Sequence, residues 1–451
     1  MDTALAAVAG HAARVEALAA QLAQAQGAVQ LGKSTSNLFR DRASGAKRRP
    51  LDVRSLDHVL GVEAATGLVD CEGMATYEAL VDACLARGVM PAVVPQLKTI
   101  TLGGAVAGVA IESSSFREGL VHETVEEVEV LAGDGRLLTC TAANEHSDLF
   151  HGLANSYGTL GYALRVKART IPVKPYVHLL HERFRDPEAY FAAVEAHCRS
   201  KSADFIDGTL FAPGRLFLTC ATFAADAPST SDYTYRDIFY RSIEKRAEDW
   251  LTVRDYLWRW DTDWFWCSKN LLAQNPLVRR LYGRGRLGSK TYTRIMRWNG
   301  RWGLTRRLDA LRGLHGESVI QDVDIPIGHA PEFLAFLERE IGLWPVWMCP
   351  IGERESSSRF VLFPTRPGLY VNFGFWDVKR TREAHPPGHF NRAIEREVER
   401  LGGIKSLYSE SFFSSEEFSR LYGGAAYAAL KAKYDPGGVF PTLYEKAVLR
   451  H

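Results

Sequence analysis

A chain of 451 residues, 46% hydrophobic and 24% charged, is longer than one average domain and too apolar to be disordered. Its formal net charge of +2 gives no global attraction to nucleic acid. The seven cysteines, at 71, 84, 140, 198, 220, 267 and 349, form no CxxC pair, which argues against a zinc site and a disulfide framework and for reduced thiols.

Residues 1–26 are rich in alanine, with Leu5, Val8, Val15, Leu18 and Leu22 at helical spacing and no basic stretch ahead of them. An amphipathic surface helix is expected there, not a signal peptide. No run reaches the ~20 apolar residues that span a bilayer. Next, Gly27-Ala-Val-Gln-Leu-Gly32-Lys33-Ser34 matches G-x-x-x-x-G-K-[ST]. That phosphate loop needs a strand before it and a helix after it. Here a helix precedes, Ala28 to Leu31 reads as the strand itself, and Ser34-Thr35-Ser36-Asn37 reads as loop. An NTPase is rejected, while an anion-binding loop with Lys33 as donor stays open.

The pattern then alternates. Pro50 to Val53 reads as a short strand, and Val59 to Glu63 with Gly67 to Cys71 as a pair around a turn. Thr76 opens a helix that Gly88 ends, and Pro91 to Val94 reads as a strand. It leads into the stretch around which the protein is organised, Thr101-Leu102-Gly103-Gly104 through Ala107, Gly108 and Ile111 to Glu112-Ser113-Ser114-Ser115 and His122. Glycines among small residues leave backbone N–H groups accessible to an anion, and Thr101 can cap a helical turn whose dipole faces the same anion. The same pattern also fits a buried helix using Gly and Ala for close packing. Val125 to Leu131 and Leu137 to Thr141 read as a hairpin around Gly133-Asp134-Gly135. Ser147-Asp148-Leu149-Phe150 starts a helix, and Gly158-Thr-Leu-Gly161 precedes a strand from Tyr162 to Ala168. Three turns, at Gly32–Asn37, Thr101–Ser113 and Gly158–Gly161, could thus wrap one elongated ligand.

Between Tyr233 and Arg307 stand seven of the ten tryptophans, with 17 Lys/Arg against 7 Asp/Glu, so this segment carries about +10. Tryptophan with arginine suits a membrane interface; stacking on single-stranded nucleic acid, or a helical excursion with core tryptophans and a solvated basic face, are the alternatives. Further on, Phe205 to Leu210, Arg215 to Ala221, Val319 to Ile325, Trp344 to Pro350 and Leu369 to Phe375 read as strands, the last alternating as a half-buried strand does. Pro331 to Ile341 and Phe390 to Leu401 read as helices. Residues 405–451 are expected to return to the first half.

The order of these elements resembles the FAD-binding domain of the vanillyl-alcohol-oxidase superfamily, of the PCMH type. Within it, Thr101-Leu-Gly-Gly104, Gly108, Ile111-Glu-Ser-Ser-Ser115, Gly119-Leu120, Ser147-Asp-Leu-Phe150, Asn275-Pro276, Trp347, Cys349-Pro350 and Phe440-Pro441 resemble the delta-24 sterol reductase family. The resemblance implies an α+β fold, with a two-subdomain FAD-binding domain over 1–174. It also implies a cap domain over 175–404 with an antiparallel sheet flanked by helices, and a returning segment over 405–451. It implies FAD held by Gly32, Lys33, Ser34, Thr35, Ser36, Thr101, Leu102, Gly103, Gly104, Ala107, Gly108, Ile111, Glu112, Ser113, Gly158 and Gly161. The link would be non-covalent, since the first loop lacks a histidine and the second a cysteine.

The implied reaction is reduction of a carbon–carbon double bond in the side chain of a sterol or other isoprenoid lipid, with NADPH as donor. His122, Glu112, Tyr408 and Glu410 are its candidate catalytic groups. The alternative is an FAD-dependent oxidase or dehydrogenase of an alcohol or lipid-linked sugar, since decaprenylphosphoryl-ribose oxidases share the cofactor fold and a histidine matching His122. A third reading is a lipid-surface binding protein with structural FAD. Eukaryotic family members carry an N-terminal membrane anchor, which is not expected here. The expected location is cytoplasmic, peripheral at the inner face of the membrane through 233–307, with a lipophilic substrate, no nucleic acid and no metal.

Overall fold

The computed structural model describes residues 2–25, 27–33, 39, 48–354 and 357–450. Two mixed layers carry the architecture. A mainly antiparallel sheet in the first half runs in the order Val59–Glu63, Leu68–Glu72, Tyr162–Pro172, Val125–Leu131, Leu137–Thr141, with Val89–Pro91 also paired to the long strand Tyr162–Pro172. Against it lie the helix Tyr77–Leu85, capped by the Thr76 hydroxyl, and the glycine-rich helix Leu102–Gly108, capped by Thr101 through a bond from Gly104 N–H. A separate pair of parallel strands, Val29–Leu31 and Arg49–Leu51, packs under the N-terminal helix Asp2–Ala23 through Val15, Leu18 and Leu22.

The second half is built on an eight-stranded antiparallel sheet. Its order is Glu248–Thr252, Tyr176–Phe184, Arg215–Ala224, Phe205–Ala212, Val346–Ile351, Tyr370–Thr381, His315–Pro326 and Ile404–Lys405. Helices Pro187–Ser200, Ala330–Phe336 and His389–Arg400 cover one face, where Tyr190, Phe333, Phe373 and Ile394 form a compact core. The opposite face meets the first half through Phe205, Trp260, Trp266 and Trp347. The whole is an α+β fold in which a two-part first half stands against a helix-covered sheet, as expected. Among the described residues, no helix is long and apolar enough to cross a membrane.

Three local expectations change. Residues 370–375 are buried at every position, not at alternate ones, because both faces of that strand are covered. The strand before the glycine-rich helix spans Val89–Pro91, not 91–94, although Ala92 N–H still bonds Arg169 O at 3.0 Å. The aromatic and basic segment 233–307 is not helical throughout. Glu248–Thr252 turns Asp249 and Leu251 inward and joins the large sheet as its edge.

The two halves are tied by Arg259, whose guanidinium is fully buried. It donates to Glu112 at 2.9 Å, to Asp207 at 2.8 Å and to Tyr256 O at 3.0 Å, and lies over the Tyr256 ring. Removing one partner of a buried ion network strands the remaining charge. Arg259→Met should therefore destabilise the fold by about 3–5 kcal/mol in urea denaturation. Adding Glu112→Gln and Asp207→Asn should restore part of that loss.

Candidate functional site

A cleft of about 2110 Å³ lies between the halves. One wall is the glycine-rich helix and its exit, with Thr101, Gly103, Gly104, Ala107, Gly108 and Ile111. A second is the strand end Gly32–Lys33 with Arg48, and a third is Tyr157, Gly158 and Gly161. The fourth belongs to the large sheet and the segment after it: Trp264, Ile320, Asp322, Trp376, Tyr408 and Glu410. Small-molecule pockets run to roughly 300–1,000 Å³, so this cleft has room for more than one ligand.

The glycines serve packing first. A Cβ at Gly103 would lie 2.8 Å from Gly73 O, so the helix can approach the neighbouring turn only with glycine there. Nor are the first-turn N–H groups open, contrary to the sequence expectation. Leu102, Gly103, Gly104 and Ala105 donate to Ala75 O, Gly73 O, Thr101 Oγ1 and Thr101 O. The accessible donors lie at the other end of the helix. Val109 is left-handed (φ 55°), and the N–H groups of Val109, Ala110 and Ile111 have no acceptor among the described residues while lining the cleft. Successive N–H groups in such a turn form an anion-binding concavity. Across from them, Arg48 lines the cleft with its Nε buried and unpartnered among the described residues. These donors fit a diphosphate-bearing cofactor.

Sequence-assigned residues fall into three groups. Gly32, Lys33, Thr101, Gly103, Gly104, Ala107, Gly108, Ile111, Gly158, Gly161, Tyr408 and Glu410 line the cleft together. Ser34, Thr35 and Ser36 lie outside the described residues. Leu102, Glu112, Ser113 and His122 do not line it. Leu102 is core, Ser113 bonds the Tyr256 hydroxyl at 3.1 Å, and Glu112 is committed to Arg259. Burial pushes the Glu112 carboxyl upward.

His122 is 4% exposed and packs edge-on against Phe360 at 4.3 Å, with Nδ1 unpartnered among the described residues. Burial, reinforced by His151, lowers it from 6.5 to about 3. It is a neutral packed ring, and neither it nor Glu112 lines the cleft.

Sequence reading missed Arg48, Trp264, Trp376 and Asp322. The signal for Asp322 was the acidic pair Asp322-Val323-Asp324 in a strand whose inward positions include Val319, Val323 and Ile325. Its carboxyl faces Tyr408, whose oxygen accepts a bond from Trp376 Nε1 at 2.9 Å. Burial holds both groups well above their ordinary values. Glu410, by contrast, is ion-paired with Arg450 at 2.6 Å.

A family profile described as "FAD binding domain" matches residues 3–141. The protein is 25% identical over 429 residues to the Delta(24)-sterol reductase of Homo sapiens, covering 87% of this sequence and 76% of the relative. It is 25% identical over 403 residues to that of Arabidopsis thaliana, covering 79% and 69%. Cytokinin dehydrogenase 1 of Oryza sativa subsp. japonica is 25% identical over 162 residues, 35% of this sequence and 30% of that protein.

The neutrality of His122 has a measurable consequence. Below 6.5 the unfolded protein binds a proton that the buried ring refuses, so stability falls as pH drops from 6.5 toward 3. The slope from this group reaches about 1.4 kcal/mol per pH unit. In urea titrations at pH 7 and 5.5, His122→Leu should lose less stability than wild type. Equal losses would show that the ring is not held neutral.

Proposed function

We propose that the protein, 25% identical over 429 residues to a Delta(24)-sterol reductase and matching an FAD-binding profile over residues 3–141, is a member of the delta-24 sterol reductase family of FAD-linked oxidoreductases and reduces a carbon–carbon double bond in the side chain of a sterol or related isoprenoid lipid, with NADPH as donor. The observation that carries the reading is the cleft, which is larger than a dinucleotide needs and changes character across its width. One wall offers backbone N–H groups and Arg48. The other offers Trp264, Phe265, Ile320, Trp376 and Phe390, an apolar surface suited to a hydrocarbon skeleton. The similarity also runs through the second half of the sequence, beyond the cofactor-binding half.

FAD, bound without a covalent link, supplies the hydride chemistry. In this reading residues 1–174 bind it, residues 175–404 bind the lipid and residues 405–451 return to complete the cleft. Val109–Ile111 and Arg48 hold the diphosphate, and Gly32, Lys33, Gly158 and Gly161 border the rest of the cofactor. The aromatic wall excludes water and orients the alkene. Glu410, ion-paired with Arg450, places a charged pair at the edge of the cleft.

Membrane contact belongs to the same proposal, with the protein peripheral at a cytoplasmic membrane face. Trp258, Trp260, Trp264 and Trp266 are buried and belong to the core. Trp298 and Trp302 are 56% and 54% exposed on the helix Ser289–Trp302, with Leu308 and Leu311 exposed on the next helix, Leu304–Leu311. Arg294 and Arg297 accompany them, and residues 295–299 border the cleft. Amphipathic rings and cations at a cleft mouth suit loading from an anionic bilayer.

Anaerobic titration tests the reaction. NADPH should bleach the bound flavin, and an alkene sterol should restore its colour. Bleaching by an alcohol with NADPH inert would instead indicate an alcohol oxidase or dehydrogenase. In co-sedimentation, wild type should follow phosphatidylglycerol-containing vesicles and leave pure phosphatidylcholine vesicles unbound. Trp298→Ser combined with Trp302→Ser should lose several-fold in partitioning, and absence of wild-type binding would overturn the membrane reading.

A further inference from the structure

We propose that Asp322, with Tyr408 beside it, is the acid that delivers the proton to the second alkene carbon. This rests on the reductase reading above and names a group which that reading leaves open.

Strand geometry sets the direction of the carboxyl. Ser318, Ile320 and Asp322 alternate along His315–Pro326 and line the cleft, while Val319 and Val323 point into the core beneath the covering helices. Opposite Asp322 in the ladder stands Gly374, and a Cβ there would lie 2.6 Å from Asp322 Oδ1. The lack of a Cβ at Gly374 leaves room for the carboxyl. Cross-strand space is thus reserved for an acid in a wall otherwise built of Trp264, Ile320 and Trp376.

Pairing distinguishes Asp322 from the other acids that line the cleft. Asp309 bonds Arg380, Asp377 bonds Lys269, Glu410 bonds Arg450, and Glu317 accepts from Asn391. Asp322 has no cation partner among the described residues, and its Oδ1 is buried and unpartnered among them. A carboxyl so placed keeps its proton at neutral pH, as donation requires. The neighbouring Asp324 does not line the cleft and is satisfied by Asn372 Nδ2 at 2.6 Å. Lys405, on the adjacent edge strand, is engaged by Glu395 at 3.1 Å and Ser411 at 3.0 Å. Because Tyr408 already accepts from Trp376, its one O–H is left to donate toward Asp322. Tyr408 is therefore a positioning residue that stabilises the carboxylate left after transfer.

In the step itself the alkene π bond breaks. One carbon gains a C–H bond from hydride, two electrons with one hydrogen, supplied by the reduced flavin. The other gains its C–H bond as the Asp322 O–H bond breaks, and water reprotonates the carboxylate after product leaves. General-acid catalysis of this kind contributes roughly 10²–10⁴-fold.

Two measurements on Asp322→Asn decide the matter. In stopped-flow experiments the holoenzyme should keep its flavin and its rate of reduction by NADPH, while reoxidation by the alkene slows about 10²-fold or more. By infrared spectroscopy, the flavin-free wild type at neutral pH should show a protonated-carboxyl C=O band that the variant lacks. Tyr408→Phe should shift that band, which supplies a readout if the first variant fails to fold. Reoxidation of Asp322→Asn at the wild-type rate, or loss of no C=O band, overturns the proposal; so does an unmoved band in Tyr408→Phe. If no alkene reoxidises the reduced wild type, the reductase reading fails instead, and the infrared result still reports whether Asp322 holds a proton.

Discussion

Arg259 is the cation on which the geometry of the cleft depends. Glu112 closes the glycine-rich stretch of the first half, Asp207 sits in the middle of the large sheet, and both reach the same guanidinium. Trp347 Nε1 adds a bond to Asp207 at 3.0 Å, so the sheet side of the junction is held from two directions. Two carboxylates around one buried cation would leave net negative charge in a low-dielectric interior. Burial raises the Glu112 carboxyl, and a proton there brings the cluster to neutrality. Arginine is suited to this position because its planar fork carries several donors and holds its charge when buried. The spacing of the two halves at this junction is thereby set by hydrogen-bond lengths.

The first half was largely legible because its signals are local. Thr101 caps the helix it was expected to cap, and Val125–Leu131 and Leu137–Thr141 form the expected hairpin. Each depends on residues within a few positions. The electrostatic state of His122 was not legible for the opposite reason. Its neutrality comes from Phe360 and Phe363, more than two hundred residues downstream, and from His151. The glycine stretch was read as donating its first N–H groups, but those are taken by Gly73 and Ala75, which sit on the preceding turn. A glycine pattern specifies close approach without saying to what. The left-handed Val109, which opens the useful donors, has no compositional signature at all.

The tryptophans teach the same lesson about periodicity and burial. Trp258 to Trp266 occupy turns between a short helix and the cleft, where their rings interlock with Trp347 and Trp376 through Phe265. Trp298 and Trp302 stand one helical turn apart on an exposed helix. Composition joined all of these into one basic, aromatic segment, and only the tertiary fold separates a core from a surface. The segment does both jobs: its first part builds the apolar wall and its last part borders the mouth.

That continuity limits how a hydrophobic substrate can travel. A lipid leaving a bilayer must stay shielded from water along its path, since each exposed CH₂ costs about 0.8 kcal/mol. Residues 295–299 line the cleft within the same helix that exposes Trp298 and Trp302, so that helix touches both the cleft and the surface. The polar requirement is met from the other side, by the backbone at Val109–Ile111 and by Arg48. Within the apolar wall the Asp322 carboxyl has no cation partner among the described residues, and burial pushes it well above the usual carboxylate range. The apolar rings that suit the proposed lipid are therefore neighbours of the same carboxyl whose ordinary value burial raises.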